Sequence, residues 1–216
     1  MQSQKLSPEE QIRILGEHVI RARMHYDVWW FLEGEETRPL ILETLNNYPE
    51  FFLLDSSAHF SSMVIRCALI WDSSSSGISL WDLANDRRVM DKSRFPEDRK
   101  FIDQLTTIRK RAQGLLTLRN QSVAHVNIFE KRRDIFQRAK VIPNTIPVLL
   151  EEWRAVINSL GQKINPDLPE FVFREYALNQ FKHLIHNIGG PDLTDIGSDL
   201  FPEIKSPRTS PPRGLS

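Results

Sequence analysis

The chain has 216 residues, 40% of them hydrophobic and 26% charged, the range of a globular domain with enough apolar side chains for one good-sized core. Lys plus Arg and Asp plus Glu both total 28, so the net charge is zero and any polyanion must be met by a local patch, not by an overall basic excess. No stretch approaches the roughly 20 uninterrupted apolar residues of a membrane span, MQSQKLSPEE lacks the layout of a secretory signal, and the lone Cys67 excludes an intramolecular disulfide, so a cytoplasmic protein is the expectation.

The first helix is predicted from LSPEEQ, where Ser7 caps, Pro8 takes the first helical position and Glu10 completes a capping box. Ile12, Leu15, Val19, Ile20, Val28, Trp29 and Trp30 carry its apolar stripe to about Leu32, with the two tryptophans as core anchors. EGEETRP breaks the pattern. A short helix over Arg38 to Asn47 follows, and Pro49 opens a long helix to about Asp72 whose several apolar faces predict a central place in a bundle. Cys67, within VIRCALI, is expected to pack there as a small hydrophobe. SSSSG at 73–77 is a loop by composition, and SLWDLANDRR reads as a short surface helix.

A third long helix begins near Pro96. Phe101, Leu105, Ile108, Ala112 and Leu115 recur at spacings of four and three, and the next position in that series is Arg119. A guanidinium where another leucine would serve stability needs a partner or a purpose. A structural arginine bonded to helix carbonyls or to a carboxylate, and a functional one, both remain open on the pattern alone. After KRRDIFQRAK, the prolines of VIPNTIPVLL mark a turn into a helix from about Ile146 to Gln162, apolar along Leu149, Leu150, Trp153, Val156, Ile157 and Leu160. NPDLPEFVFREYALNQFKHLIHN reads as the last helix, stopped by Gly189-Gly190-Pro191. The division is then a helical domain over 1–188 and a Pro/Ser-rich tail over 189–216. Without strand-like alternation the fold class is all-α, an antiparallel bundle of four to five long helices with short linking helices.

Between Ile108 and Lys140 nine basic residues (Arg109, Lys110, Arg111, Arg119, Lys131, Arg132, Arg133, Arg138, Lys140) face two acidic ones (Glu130, Asp134), 9 − 2 = +7. Such segregation suits a polyanion site, and a solvated basic face accounts for it equally well. There is no glycine-rich phosphate loop, nucleophile elbow, HExxH or EF-hand loop. His183 and His186 lie one turn apart but lack a neighbouring cysteine, which favours an amphipathic surface over a shared metal. His18, His25 and His59 show no partner arrangement and are assigned core or surface roles.

RNQSVAHVN, residues 119–127, differs from all of these. An arginine, a polar residue directly after it and a histidine a few residues on, near the end of a long helix in an all-α context, resemble the signature of the HEPN superfamily. The match is Arg119, Asn120 and His125. WWFLEG and SSAHFSSMVIRCALIWD extend the resemblance to the abortive-infection, AbiU-type branch over residues 8 to about 188. The resemblance implies a metal-independent endoribonuclease, without a cofactor, acting as a homodimeric toxin or phage-defence effector on RNA. It further implies His125 as general acid or base, Arg119 on the scissile phosphate and Asn120 as an orienting hydrogen-bond partner. An antitoxin protein is an expected partner. However, Val126 and Asn127 stand where some relatives carry a tyrosine that a nucleotidyltransferase antitoxin modifies. The alternative function is a non-catalytic helical module that dimerises and binds RNA, nucleotide or a protein partner.

The chemistry is consistent with those roles, because imidazole titrates near neutrality and guanidinium offers a planar fork to phosphate oxygens. Geometry sets a condition. Six residues turn an ideal helix by about 600°, leaving Arg119 and His125 about 120° apart. Either the helix ends or bends within NQSVA, or two subunits share the groove, which the resemblance favours. Arg66, Asp72, Asp103 and Arg109 are further residues that could support the site.

Overall fold

The computed structural model describes residues 6–72, 78–86, 88–90, 96–122 and 132–194. Its elements are α1 (Pro8–Glu33), α2 (Arg38–Asn47), α3 (Pro49–Trp71), α4 (Leu80–Asn85), α5 (Pro96–Ser122), α6 (Arg132–Ala139), a 3-10 turn (Pro143–Thr145), α7 (Ile146–Ile164) and α8 (Tyr176–Asn187). The fold is all-α, with no strand among the described residues. The loop expected at 73–77 lies outside them, as does the tail from 195 on.

The helices begin where local chemistry dictates. At α1 the Glu10 amide donates to the Ser7 hydroxyl at 3.2 Å and the Ser7 amide donates to the Glu10 carboxylate at 2.8 Å, closing the capping box. Prolines open α2 and α3, where a missing N–H costs nothing. Pairs across the seams fix direction. His18–Arg66 and His25–His59 run in opposite senses along α1 and α3, Glu9–Asn165 joins the start of α1 to the end of α7, and Arg111–Glu152 with Asp98–Lys163 does the same for α5 and α7. Thus α1 runs antiparallel to α3 and to α7, and α5 antiparallel to α7; α1 packs chiefly on α3 and α7, and α5 on α3. Trp71 of α3 and Trp153 of α7, both fully buried, meet edge-on with centroids 5.7 Å apart.

Trp29 and Trp30 are core anchors as expected, and Cys67 is fully buried. Three expectations are corrected. The hub is α1, not α3, and the surplus apolar residues of α3 face outward instead: Phe51 is 54% and Leu54 71% exposed, with Ile65 and Leu69 also on the surface. SLWDLANDRR does contain a helix, with Asp82 and Asn85 exposed, but its Leu80, Leu83 and Ala84 are wholly buried, so α4 also plugs the core. The last helix starts only at Tyr176. Before it, the Asn158 side chain accepts from the Phe171 amide at 2.9 Å and donates to the Phe171 carbonyl at 3.0 Å, while Arg154 donates to the same carbonyl at 2.9 Å. These side-chain bonds replace helical ones in a stretch already broken by Pro166 and Pro169.

Two helix ends use the same termination with different residues. After α8 the Gly190 amide donates to the Ile185 carbonyl and the Gly189 amide to the His186 carbonyl, with Gly189 at φ +90°. After α6 the Val141 amide donates to the Phe136 carbonyl and the Lys140 amide to that of Gln137, but the left-handed residue is Lys140, at φ 55°. A lysine there costs about 1 kcal/mol that glycine would not. This end of α6 presses on α5 at Gly114, where an added Cβ would lie 2.6 Å from Val141 Cγ2 and 2.8 Å from the Ala139 carbonyl oxygen. Gly114→Ala is accordingly expected to destabilise the fold by about 1–3 kcal/mol in urea unfolding despite alanine's better helix propensity, since one of the atoms met is backbone.

Candidate functional site

Arg119 sits in the last described turn of α5, on the stripe of Leu105, Ile108, Ala112 and Leu115, all of which are buried. Its guanidinium is neither sealed nor free, with the side chain 32% exposed. One terminal nitrogen donates to the Asp72 carboxylate in a short ion pair; Nε and the other terminal nitrogen both donate to the Asn120 side-chain oxygen, at 3.1 and 2.9 Å. Three of the five N–H groups are thus directed to described residues, and each terminal nitrogen keeps one more. The structure therefore brings Arg119 and Asn120 together and adds Asp72. His125 lies outside the described residues.

Of the four residues held in reserve, only Asp72 reaches Arg119. It caps the C-terminal end of α3, where a carboxylate opposes the helix dipole unless a cation answers it. Arg119 supplies that cation from 47 residues away. Arg66 instead donates to His18 Nδ1 at 3.0 Å, Arg109 lies over the Trp81 ring at 4.8 Å, and Asp103 is exposed. The acid at a helix end was the signal available in the sequence; its partner was not.

His25 and His59 do have partners, contrary to expectation, because antiparallel packing of α1 on α3 sets their Nδ1 atoms 3.0 Å apart. His59 Nε2 lies 3.6 Å from the Asp55 carboxylate. Burial, then the facing His59 and Arg66, push the His25 imidazole down to about 4, and burial also lowers His18 and His59 while raising Asp55. His183 and His186 are exposed on α8.

The all-α bundle and the Arg119–Asn120 pair at the end of its third long helix agree with the resemblance to HEPN domains. The chain belongs to the AbiU2 family of HEPN domains, whose model matches residues 9–182. Neither the curated proteins nor the solved structures give a significant match. No described helix is long and apolar enough to cross a membrane.

The histidine seam sets a pH dependence. The unfolded chain protonates His25 near 6.5 and the fold only near 4, so the unfolded state binds more protons in between. The stability His25 contributes is complete above about 6.5 and is lost as pH falls toward 4. Asp27, raised to about 6 by burial, has the opposite sign and gains stability as pH drops below that value. Melting temperatures across this window should show a smaller acid loss in His25→Asn than in the wild type, because the Asp27 contribution is common to both. Equal losses would remove His25 from the account.

Proposed function

We propose that the protein is an endoribonuclease of the abortive-infection type, in which Arg119 binds the scissile phosphate, Asn120 orients the guanidinium and His125 transfers a proton. The observation that carries this reading is the half-exposed guanidinium itself, steered by Asn120 and Asp72 at the end of the motif helix in an AbiU2-family chain. Asp72 and Asn120 take three of the N–H groups, and the other two, one on each terminal nitrogen, have no partner among the described residues and are left to grip phosphate oxygens. In-line attack by the ribose 2′-hydroxyl then needs only proton transfers and stabilisation of the charge that develops on phosphorus oxygens. The products are a 2′,3′-cyclic phosphate and a 5′-hydroxyl, and DNA lacks the nucleophile. Mixed RNA incubated with the purified protein in EDTA should be cleaved, with His125→Ala and Arg119→Ala each slowing cleavage by about 10²–10⁴-fold. Intact RNA across several substrates, together with unimpaired growth on expression, overturns the reading.

A homodimer fits the surface of α3. Leu54, Ala58, Ser61, Ile65, Leu69 and Asp72 follow one another at helical spacings of three and four, so an outward-facing stripe with no charge before Asp72 ends beside Arg119. A second copy laid on that stripe would cover it and approach the Arg119 site, leaving each subunit able to complete the other's groove. Leu54→Asp, at a position 71% exposed, should leave unfolding within about 0.5 kcal/mol of the wild type. It should convert a dimer to a monomer in a solution-mass measurement. A strictly monomeric wild type removes the shared groove.

One observation favours the second reading, a non-catalytic module that binds RNA, nucleotide or a protein. The Asp72 carboxylate already neutralises Arg119, as a purely structural ion pair would. Defence activity that survives in Arg119→Ala/His125→Ala selects this reading over the nuclease.

A further inference from the structure

The basic segment does not act as one surface. Arg111 is held by Glu152 through two bonds of 2.8 and 2.6 Å, Arg109 stacks on Trp81, and Arg119 is taken by Asp72. Lys110 and Lys140 carry no ion pair among the described residues, and with Arg138 they rim a groove of about 660 Å³ between α5, the end of α6 and the start of α7. Its floor is apolar, made by Ala139, Val148 and Leu149. Gln113 adds a side-chain amide at the wall. The nine residues from Lys110 to Arg119 turn α5 by about 900°, which sets this groove on the opposite side of the helix from the Arg119 site.

We propose that the groove binds a nucleoside phosphate, as a free nucleotide or as one unit of an RNA strand, with the phosphate between Lys110 and Lys140 and the base on the apolar floor. Its volume is that of a small-ligand site, and a flat apolar surface bordered by ammonium groups matches a base joined to a phosphate. The backbone of Lys140 is the second, independent observation. It is the only described residue other than glycine with a positive φ, and it holds that conformation at a helix end where the fold elsewhere uses Gly189. The chain gives up stability there to keep an ammonium at the rim. A neighbouring hollow of about 690 Å³, floored by Trp29 and Trp30, shares Lys140 with the groove, but its other charged residues are Glu33 and Glu35, which repel phosphate.

The test measures equilibrium binding of labelled oligouridylate to the full chain, with UMP and inorganic phosphate as competitors. Lys140→Gly should raise the melting temperature by roughly 2–4 °C, because glycine takes the left-handed conformation freely. The same substitution should weaken oligouridylate binding about tenfold and lower the salt slope by about one. Lys110→Ala, at an exposed helical position, should weaken binding similarly without lowering the melting temperature. UMP should displace the probe, and inorganic phosphate far less well. UMP binding as tightly as oligouridylate identifies a free nucleotide as the ligand, while tighter, salt-sensitive oligouridylate binding identifies RNA. Wild-type affinity in both lysine variants, or displacement by inorganic phosphate as effective as by UMP, overturns the proposal. The readout is binding, so failure of RNA cleavage leaves it standing.

Discussion

Trp71 packed edge-on against Trp153 is the contact on which the site depends. It joins α3 to α7 and fixes the last residue of α3, so the next residue, Asp72, leaves the core at a set place. The Asp72 carboxylate there meets the Arg119 guanidinium at the far end of α5. Where α3 and α5 end together, the Arg119 guanidinium suits its own helix end and offsets the carboxylate that the end of α3 disfavours, and the pair stays partly in solvent. A leucine at position 119 would have extended the core stripe by one more turn; arginine instead puts a partly exposed charge at the end of that stripe.

The α1–α3 seam shows the same economy on a different scale. Both helices put their apolar residues into the core, yet the line where they meet carries His18, His25, Asp55, His59 and Arg66. These groups are half-buried and lie against one another, at the cost of imidazoles that resist protonation. The outward face of α3 is the reverse case, apolar where water would favour charge. Helix α3 therefore carries ionisable groups on its inner seam and apolar ones on its outer face.

The division of the basic segment carries a general lesson about charge counts. A net +7 over Ile108 to Lys140 reads as one footprint, but α5 turns these residues to different sides, and acids from α3 and α7 neutralise two of them. Lys110 and Lys140, without an ion pair among the described residues, line a groove that faces away from the motif arginine. Charge density along a sequence therefore locates a basic region without saying which members of it are available to a ligand.

The sequence alone determined the features that depend on nearest neighbours. The Ser7–Glu10 capping box, the prolines that open α2 and α3, the bounds of α2, the Trp29–Trp30 anchors and the all-α class all follow from patterns a few residues long, as does the pairing of Arg119 with Asn120 in the motif. Tertiary structure decided what depends on distant partners. It chose Asp72 from four candidates, faced His25 with His59, sank α4, and turned the surplus apolar side of α3 to the outside. It also unwound residues 165–175, because Arg154 and Asn158 offer the Phe171 backbone bonds that a helix would otherwise supply. Local propensity specifies which segments are helical, but the packing of the long helices sets which side chains meet, and those separations of 34 and 47 residues leave no periodic trace in the chain.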